Sequence, residues 1–576
     1  MKFRSPLRWT FRPDCPTEAL ALQKEAGLPE LAARILANRA IGGAKEARDF
    51  IDAPLRDVRD PFDLPDMDRA ASRVARAITR NEPVTVYGDY DVDGISATAV
   101  LIGLFRFLGV EAGYYVPHRV EEGYGLNRMA IDKLAARGTK LIVTVDNGVT
   151  ANDEIAYAAS LGVEVVVTDH HEQGDALPAA ACAIVDPKRL DRPYTLTEFC
   201  GTGVAWKLAH AVLREMETPS ERGREFLKAR MDLVALATVA DMVPLVGENR
   251  NLARAGIGAM RDTARMGLRA LMEVAGLNGA VTARDMSFLL APRLNAVGRT
   301  RSAVLGVQLM LSTDPEEARA LAGQMNTLNN ERREQEKRMM VEALEEYGRL
   351  TAEQTRRVIV VARENWHPGF VGLVASRLCD LHYRPVFVIS VDPKRDMAKG
   401  SARSIDGFNL NDALRSFFGP SESFGGHAMA AGFHLPASRV GGFREAMVAY
   451  AERRLSDEQL RPGILIDAEA PLASLTLEAA EAIETFQPFG EGNPRPIVSF
   501  SDVSLADTPR VVGNNHLRLK LYQSGFYVSA IGWGMGDLDS RLLRHNDSIS
   551  VAGHPTVNDY QGRRTPEIEL CDIRFE

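Results

Sequence analysis

Between Glu82 and about Pro187 the chain alternates short, unbroken apolar runs with longer amphipathic ones. PVTVYG, EAGYYVP, KLIVTVDNG, VEVVVTDHH and ACAIVDP read as strands, and ISATAVLIGLFRFLG, NRMAIDKLAARG and NDEIAYAASLG as helices. Apolar strands separated by helices predict a parallel sheet covered on both faces. Right-handed crossovers make it a doubly wound α/β sheet, with ligand chemistry at the carboxyl ends of its strands. A mostly helical stretch follows, including MDLVALATVADMVPL. The segment Glu316 to Leu350 then runs without proline, charged and with apolar residues at helical spacing, which predicts a long connector helix. RVIVVAREN and YRPVFVIS restart a strand–helix–strand pattern, giving a second α/β domain to about Arg461. Beyond it SFSDVSLAD, HLRLKLYQ, FYVSAIGW, SISVAGHPTV and PEIELCDIRF are short alternating strands, the pattern of a small closed β-barrel.

The unusual side chains fall at the ends of the first set of strands. Asp89, Asp91 and Asp93 follow the first, Asp146 the third, and Asp169, His170 and His171 the fourth. Acids this close raise one another's pKa unless something positive sits among them. The D-x-D-x-D-G spacing is not a calcium loop, because position twelve is Val100 rather than Glu and a strand precedes it. An aspartyl-phosphate nucleophile would suit D-x-D-G after a strand but leaves the histidine pair unexplained. Helix capping accounts for one of the three acids. Carboxylates mixed with imidazole suit Mn²⁺ or Zn²⁺ and tolerate Mg²⁺, and several acids with one or two histidines are what a two-metal site requires. Asp241, which ends the apolar run of ATVADMVPL, is a candidate last ligand.

At 576 residues the chain exceeds one core, and about three or four domains are expected. Its 45% apolar and 25% charged content is that of an ordinary soluble protein. A net charge of −8 argues against a general nucleic-acid coat but not against a locally basic channel. Five scattered cysteines without a CxxC pair indicate neither disulfides nor a zinc knot, which fits a reducing cytoplasm. The opening MKFRSPLRWTFRPDCP lacks the apolar run of a signal peptide, and ATAVLIGLFRFLGV carries Arg106 and is too short to span a bilayer.

GDYDVDG, VDNG, TDHH and VADMVPL, in this order, resemble the four motifs of the DHH phosphoesterase family. APRLNAVGR, WHPGFVGLVASRL, SARSIDGFN, FGGHAMAAG and FQPFGEGNPRPIV extend the resemblance over nearly the whole chain, to the family's single-strand-specific 5′→3′ DNA exonucleases. The resemblance implies an N-terminal helical segment (1–48), a DHH catalytic domain (49–310), a connector helix (311–350), a DHHA1 substrate-binding domain (351–461) and an OB-fold nucleic-acid-binding barrel (462–576). It implies that Asp89, Asp91, Asp93, Asp146, His170 and Asp241 ligate two divalent ions, Mn²⁺ or Mg²⁺, with Asp146 as the bridge. The catalytic candidates are His171, near the scissile phosphate or supporting a ligand, and Asp169, orienting the imidazoles from behind. A metal-bound water would attack, with no covalent intermediate. The implied activity is release of mononucleotides from single-stranded DNA in repair and recombination, by a cytoplasmic monomer whose partners are a single-strand-binding protein and a helicase. Two other readings stand beside it: a DHH phosphodiesterase of short RNA or cyclic dinucleotides, and a non-catalytic DNA-binding scaffold. Chain length and the barrel favour the exonuclease, since small substrates need no extended track.

Candidate phosphate contacts are Ser401 and Arg403 in SARS, where the guanidinium can fork onto phosphate oxygens. Gly425, Gly426 and His427 of GGHAMAAG join them; glycines there let N–H groups converge on an anion or serve tight packing. Arg299 in NAVGR and Arg119 in VPHRVEEGYG are further candidates, Arg119 being equally suited to a surface ion pair. In HLRLKLYQ the alternation places His516, Arg518 and Lys520 on one face, where an OB-fold tracks phosphates. Phe526, Tyr527 and Tyr560 are available for base stacking, while Trp533 is expected in the core.

Overall fold

The computed structural model describes residues 7–118, 122–192, 194–300, 303–419, 423–544 and 548–575. The chain forms two compact bodies: Arg48–Arg332 with Phe486–Arg495, and Met1–Ala47 with Arg333–Thr485 and Pro496–Glu576. Among the described residues no helix is long and apolar enough to cross a membrane.

The first body is built on the five expected parallel strands, β1 (Val84–Tyr87), β2 (Gly113–Tyr115), β3 (Leu141–Val145), β4 (Glu164–Thr168) and β5 (Ala183–Val185), in spatial order β2-β1-β3-β4-β5. Alternate strand residues enter two separate cores. Val84, Val86, Val143, Val145 and Val166 pack under α1 (Val92–Phe107), α4 (Gly201–Glu215) and α5 (Met231–Ala240). Tyr87, Ile142, Val165 and Val167 pack under α2 (Arg128–Ala136) and α3 (Asn152–Ser160). The sheet is therefore doubly wound, and the order reverses at β1, the position in such sheets beside which ligands bind. Register brings the acids together: Tyr87 pairs with Thr144, Val145 with Thr168, and Thr168 with Val185, so the residues that follow β1, β3, β4 and β5 lie side by side.

Helix α4 is tied down by a buried ion pair. Lys207 Nζ lies 2.6 Å from Glu248 Oε2 and donates to the Arg59 carbonyl at 2.7 Å. Glu248 also accepts from Tyr194 Oη at 2.6 Å and from the Arg59 N–H at 3.0 Å. Every polar atom of the pair thus has a partner, which is what makes burial of two charges tolerable.

Helix α6 (Ala291–Thr300) closes over the first body, and α7 (Pro315–Gly348) is the long connector. Ala318, Ala322 and Met325 of α7 belong to the first core, and Met339 and Ala343 to the second. The second body contains a mixed sheet of β6 (Ile359–Glu364), β7 (Val386–Asp392), β8 (Met397–Arg403), β9 (Phe424–Gly426) and β10 (Ala430–Leu435), in order β9-β10-β8-β7-β6. Of its neighbouring pairs among the described residues, β6–β7 is parallel and the others are antiparallel. Helices α8 (Val371–His382) and α9 (Leu410–Phe418) accompany it. The barrel is a closed ring: β11 (Val498–Leu505) pairs with both β13 (His516–Gln523) and β15 (Ile549–Tyr560), and β14 (Phe526–Gly532) and β16 (Arg563–Phe575) complete it. The short strand β12 (Arg510–Val512) flanks β13. Leu517, Leu519 and Leu521 fill the interior, as their alternation requires.

Two segments depart from the expected boundaries. Within 1–48 the helices are preceded by a strand, Arg8–Phe11, parallel to Gly463–Ile466. Asp467 holds it there by accepting from Arg12 at 3.0 Å and from Arg39 at 2.7 and 3.0 Å. Phe486–Arg495, expected with the barrel, packs in the first body. Arg250 donates to the carbonyls of Phe486 and Gln487, and the Leu245 N–H donates to the Glu491 carbonyl at 2.8 Å.

Replacing Lys207 by Met leaves Glu248 buried without its cation. Urea denaturation of the variant should show a loss on the order of 3 kcal/mol; an unchanged midpoint would mean that the pair does not hold α4.

Candidate metal centre

Glycine brings the first acidic loop close to its helix. A Cβ on Gly94 would lie 2.5 Å from the Asp89 nitrogen, so only glycine lets the first turn of α1 fold back on Asp89. Asp91 is the N-cap of α1, and its Oδ1 accepts from the N–H groups of Asp93 (2.9 Å) and Gly94 (3.1 Å). Asp93 faces the N-terminus of α4 instead. Its two oxygens accept from Gly201 N (2.6 Å) and Thr202 N (2.7 Å), where the helix end favours negative charge. Asp146, just past β3, takes a left-handed φ of 65°. A Cβ on Gly201 would come within 2.7 Å of Asp146 Cβ, so that glycine allows α4 to start against the strand end.

His170 Nε2 lies 3.0 Å from Asp146 Oδ1, 3.6 Å from Asp93 Oδ2 and 3.8 Å from Asp241 Oδ2. Asp241 reaches the cluster from the C-cap of α5. Asp169 sits behind the pair of histidines: its Oδ1 is 2.7 Å from His171 Nδ1, and its Oδ2 accepts from Val149 N at 2.9 Å. Toward His170 it accepts only the backbone N–H, at 2.8 Å. The expectation that Asp169 orients both imidazoles is thus corrected to one, since the ring of His170 turns forward to the acids.

Three sets of donor atoms each lie within 4.8 Å of one another: Asp89, Asp91 and Asp146; Asp93, His170 and Asp241; and Asp146, His170 and His171. Asp146 and His170 are each shared by two of them. Oxygen-rich sets with an imidazole fit Mn²⁺, and also Mg²⁺ where carboxylates dominate. The electrostatics point the same way. Burial, then repulsion from Asp93 and the other acids, pushes Asp146 well above the carboxylate range. Burial followed by Asp93 and Asp91 pushes Asp241 up to about 8. Asp91 rises through burial and Asp93 despite its two N–H partners. Asp169 is held low, because hydrogen bonds and charge from His171 outweigh its burial. That partnership, against burial, raises His171 to about 9. Burial lowers His170.

Residues not singled out in the sequence complete the centre. Asn295 of α6 accepts the Val92 N–H at 3.0 Å, and a Cβ on Gly298 would meet the Tyr90 carbonyl at 2.7 Å, so APRLNAVGR braces the acidic loop. Asp186, after β5, is fully buried, with one oxygen accepting from Lys188 N at 2.7 Å. Its position after a strand of the same sheet was the available signal. Tyr124 donates to the Asp146 carbonyl at 3.0 Å. Arg119 lies outside the described residues, and of Arg299 only the backbone, in α6, is described.

The second body holds the other phosphate candidates. Arg403 Nη1 donates to Ser401 Oγ at 3.2 Å, and burial lowers the guanidinium pKa. A Cβ on Gly372, in the first turn of α8, would lie 3.1 Å from Ser401 Oγ and 3.4 Å from Arg403 Nη2, so this helix N-terminus meets the pair. Ser401, Gly432 and Gly425 are in register across β8, β10 and β9. Gly426 (φ 136°) is required by packing, since a Cβ would meet the Ala430 carbonyl at 2.4 Å, whereas Gly425 faces open space. His427 is exposed. On the barrel Arg518 and Lys520 are exposed, and Lys520 lies over the Tyr527 ring. His516 accepts from Gly534 N at 3.1 Å, with its ring against Trp533. Trp533 is not in the core: it is 46% exposed, as Phe526, Tyr527 and Tyr560 also are to 52–68%.

Family models for the DHH family N-terminal domain, the DHHA1 domain and the RecJ OB domain match residues 83–238, 355–453 and 466–572. The single-stranded-DNA-specific exonuclease RecJ of Bacillus subtilis (strain 168) is 36% identical over 570 residues, spanning 99% of this chain and 71% of the relative. That of Escherichia coli (strain K12) is 35% identical over 95% of this chain and 96% of its own. Among solved structures, RecJ of Thermus thermophilus in complex with Mn²⁺ superposes with a TM-score of 0.84 at 28% identity, over all of this chain and 80% of that one. Its Mg²⁺ complex gives 0.78 at 26% identity, over 79% of that chain. The chain belongs to the RecJ family of DHH-domain proteins.

Proposed function

We propose that this chain is a metal-dependent exonuclease that degrades single-stranded DNA from the 5′ end to mononucleotides, in cytoplasmic repair and recombination. The observation that carries the reading is the linked donor sets, in which one cluster containing Asp146 and another containing His170 are joined by a third that holds both. Asp89 and Asp91 would hold one ion and Asp93, His170 and Asp241 the other, with Asp146 placed between the two groups. When bound, the two ions supply a water acidic enough to ionise near neutral pH and offset charge on the phosphate in the transition state. The residues of the chain do the rest. Asp91 and Asp93 are fixed by backbone N–H groups before any ligand arrives, so the centre needs little reorganisation on binding. His171, held by Asp169 through Nδ1, has Nε2 left to hydrogen-bond a phosphate oxygen.

Ser401 and Arg403, at the N-terminus of α8, are suited to grip a second phosphate, with Gly425, Gly426 and His427 at the neighbouring turn. Arg119 and Arg299 are assigned to the 5′-phosphate or backbone. His516, Arg518, Lys520 and Tyr560 offer the barrel's track for a flexible strand, charge for phosphates and rings for bases. Contacts of this kind carry no base information, which makes cutting sequence-independent. A monomer supplied with single strands by a helicase and a single-strand-binding protein completes the reading.

With Mn²⁺ or Mg²⁺, a 5′-phosphorylated single strand should yield mononucleotides from its 5′ end, while matched duplex and a dinucleotide persist. Hydrolysis of the dinucleotide with the strand untouched would transfer the chemistry to small substrates. Asp146→Ala should lower turnover by more than about 100-fold, beyond the loss of an outer-shell partner; turnover unchanged in that variant would show that the cleavage does not arise at this centre.

The raised acids also set a pH dependence. A carboxyl lifted from 3.8 to about 8, as in Asp241, stabilises the metal-free fold fully below its ordinary pKa and loses that contribution as pH rises through the folded value. Asp91 and Asp146 act in the same sense, as does His171 between 6.5 and about 9; the lowered His170 opposes them below 6.5. Metal competes with these protons, so the rise in Tm on replacing EDTA by Mn²⁺ should grow from about pH 5.5 to 8.5 and flatten in Asp241→Asn. A rise independent of pH would contradict the assignment.

A further inference from the structure

The segment EGYGLN carries a residue that neither the metal sets nor the phosphate contacts use. Tyr124 stands between Gly123 (φ 84°) and Gly125 (φ 77°), and a Cβ on either glycine would meet nothing within 4 Å. Space does not call for glycine at these positions; the left-handed backbone does. The two reversals carry the phenol to the metal centre, although the residue is left 48% exposed. The hydroxyl makes two contacts. It donates to the Asp146 carbonyl at 3.0 Å and lies 3.1 Å from His171 Nδ1. The rings of Tyr124 and His171 meet edge to face at 5.5 Å.

Proton accounting assigns the direction of each bond. Nδ1 of His171 is 2.7 Å from Asp169 Oδ1, and both oxygens of that carboxylate already accept backbone N–H groups, from His170 and Val149, so Nδ1 carries the hydrogen. The single tyrosine hydrogen points at the Asp146 carbonyl, which has none to give. The phenol oxygen therefore accepts a share of the Nδ1–H, and Nδ1 is committed on both sides. Nε2 is the nitrogen left for substrate.

We propose that Tyr124 is a positioning residue for the reaction: with Asp169 it fixes the ring plane of His171, so that Nε2 is presented to the phosphodiester being cut. This rests on the role given to His171 above. Asp169 alone fixes the tautomer, but one hydrogen bond leaves the ring free to swing about it, and the phenol supplies a second point of attachment. The same hydroxyl also steadies the left-handed peptide of Asp146, so its loss has two possible routes to activity, and the experiment must separate them.

Tyr124→Phe keeps the ring and deletes the hydroxyl. In the full-length enzyme with Mn²⁺ it should lower kcat for single-stranded DNA by about 10–100-fold, the range for losing an outer-shell partner, with KM within about twofold. The Mn²⁺-induced rise in Tm should match that of the parent. In a double-mutant cycle Tyr124→Phe should cost nothing further once His171 is Ala. A reduced Mn²⁺ response would show that the hydroxyl acts through Asp146, and additive losses would show independence from His171; either overturns the proposal. If His171→Ala is impaired and Tyr124→Phe is not, the tyrosine proposal fails alone. If His171→Ala is fully active, the role of His171 itself fails.

Discussion

Five carboxylates converge on a few ångströms of the first body, and their mutual repulsion is the constraint that the neighbouring elements are arranged to offset. Register is the first part of the answer and the cause of the problem: it sets Asp89, Asp146, Asp169 and Asp186 at the ends of adjacent strands. Backbone dipoles are the second. The first turn of α1 answers Asp91, the start of α4 answers Asp93, and Val149 N answers Asp169. A doubly wound sheet has these N–H groups to offer because each helix begins where a strand has just ended.

Such proximity needs room, and the room is made by leaving side chains out. Gly94, Gly201 and Gly298 each stand where a Cβ would press on an acid or its loop, at 2.5–2.7 Å. Held this closely, α4 must not drift, and the Lys207–Glu248 pair pins it further along its length. The stability of the fold and the geometry of the centre are thus one problem: an interaction remote from the acids fixes the helix end that one of them depends on.

Much of this was legible in the sequence because it is local. Unbroken apolar runs gave the parallel strands, the chemistry fell at their ends, and the alternation in HLRLKLYQ gave both the core leucines and the exposed basic face of β13. What was not legible depends on partners far along the chain. RWTF becomes a strand only through Gly463–Ile466 and the hold of Asp467 on Arg12 and Arg39. FQPFGEGNPR leaves the barrel because Arg250, more than 230 residues earlier, binds its carbonyls. Trp533 is exposed because the turn after β14 sets it against His516 instead of inside the ring, a choice that hydropathy cannot register. Asn295 and Tyr124 sat inside recognised motifs, but the amide and phenol act on the Val92 N–H and the Asp146 carbonyl, contacts that composition does not encode.

The acids are also not equivalent, and the difference lies in what each has already bonded. Asp91 receives two N–H groups on one oxygen and, among the described residues, none on the other. Asp93 spends one lone pair on each oxygen. Asp146 and Asp241 draw on no backbone N–H among the described residues, and these two are driven well above the ordinary carboxylate range. The fold therefore divides the cluster into acids that the backbone holds in place and acids that it leaves to side chains such as His170 and to a bound cation. Asp146, which belongs to the second group and to two of the donor sets, is the residue through which protonation and metal binding are most tightly coupled. A centre built this way is ordered by its N–H-bonded acids before metal arrives and is completed by metal at the acid it shares.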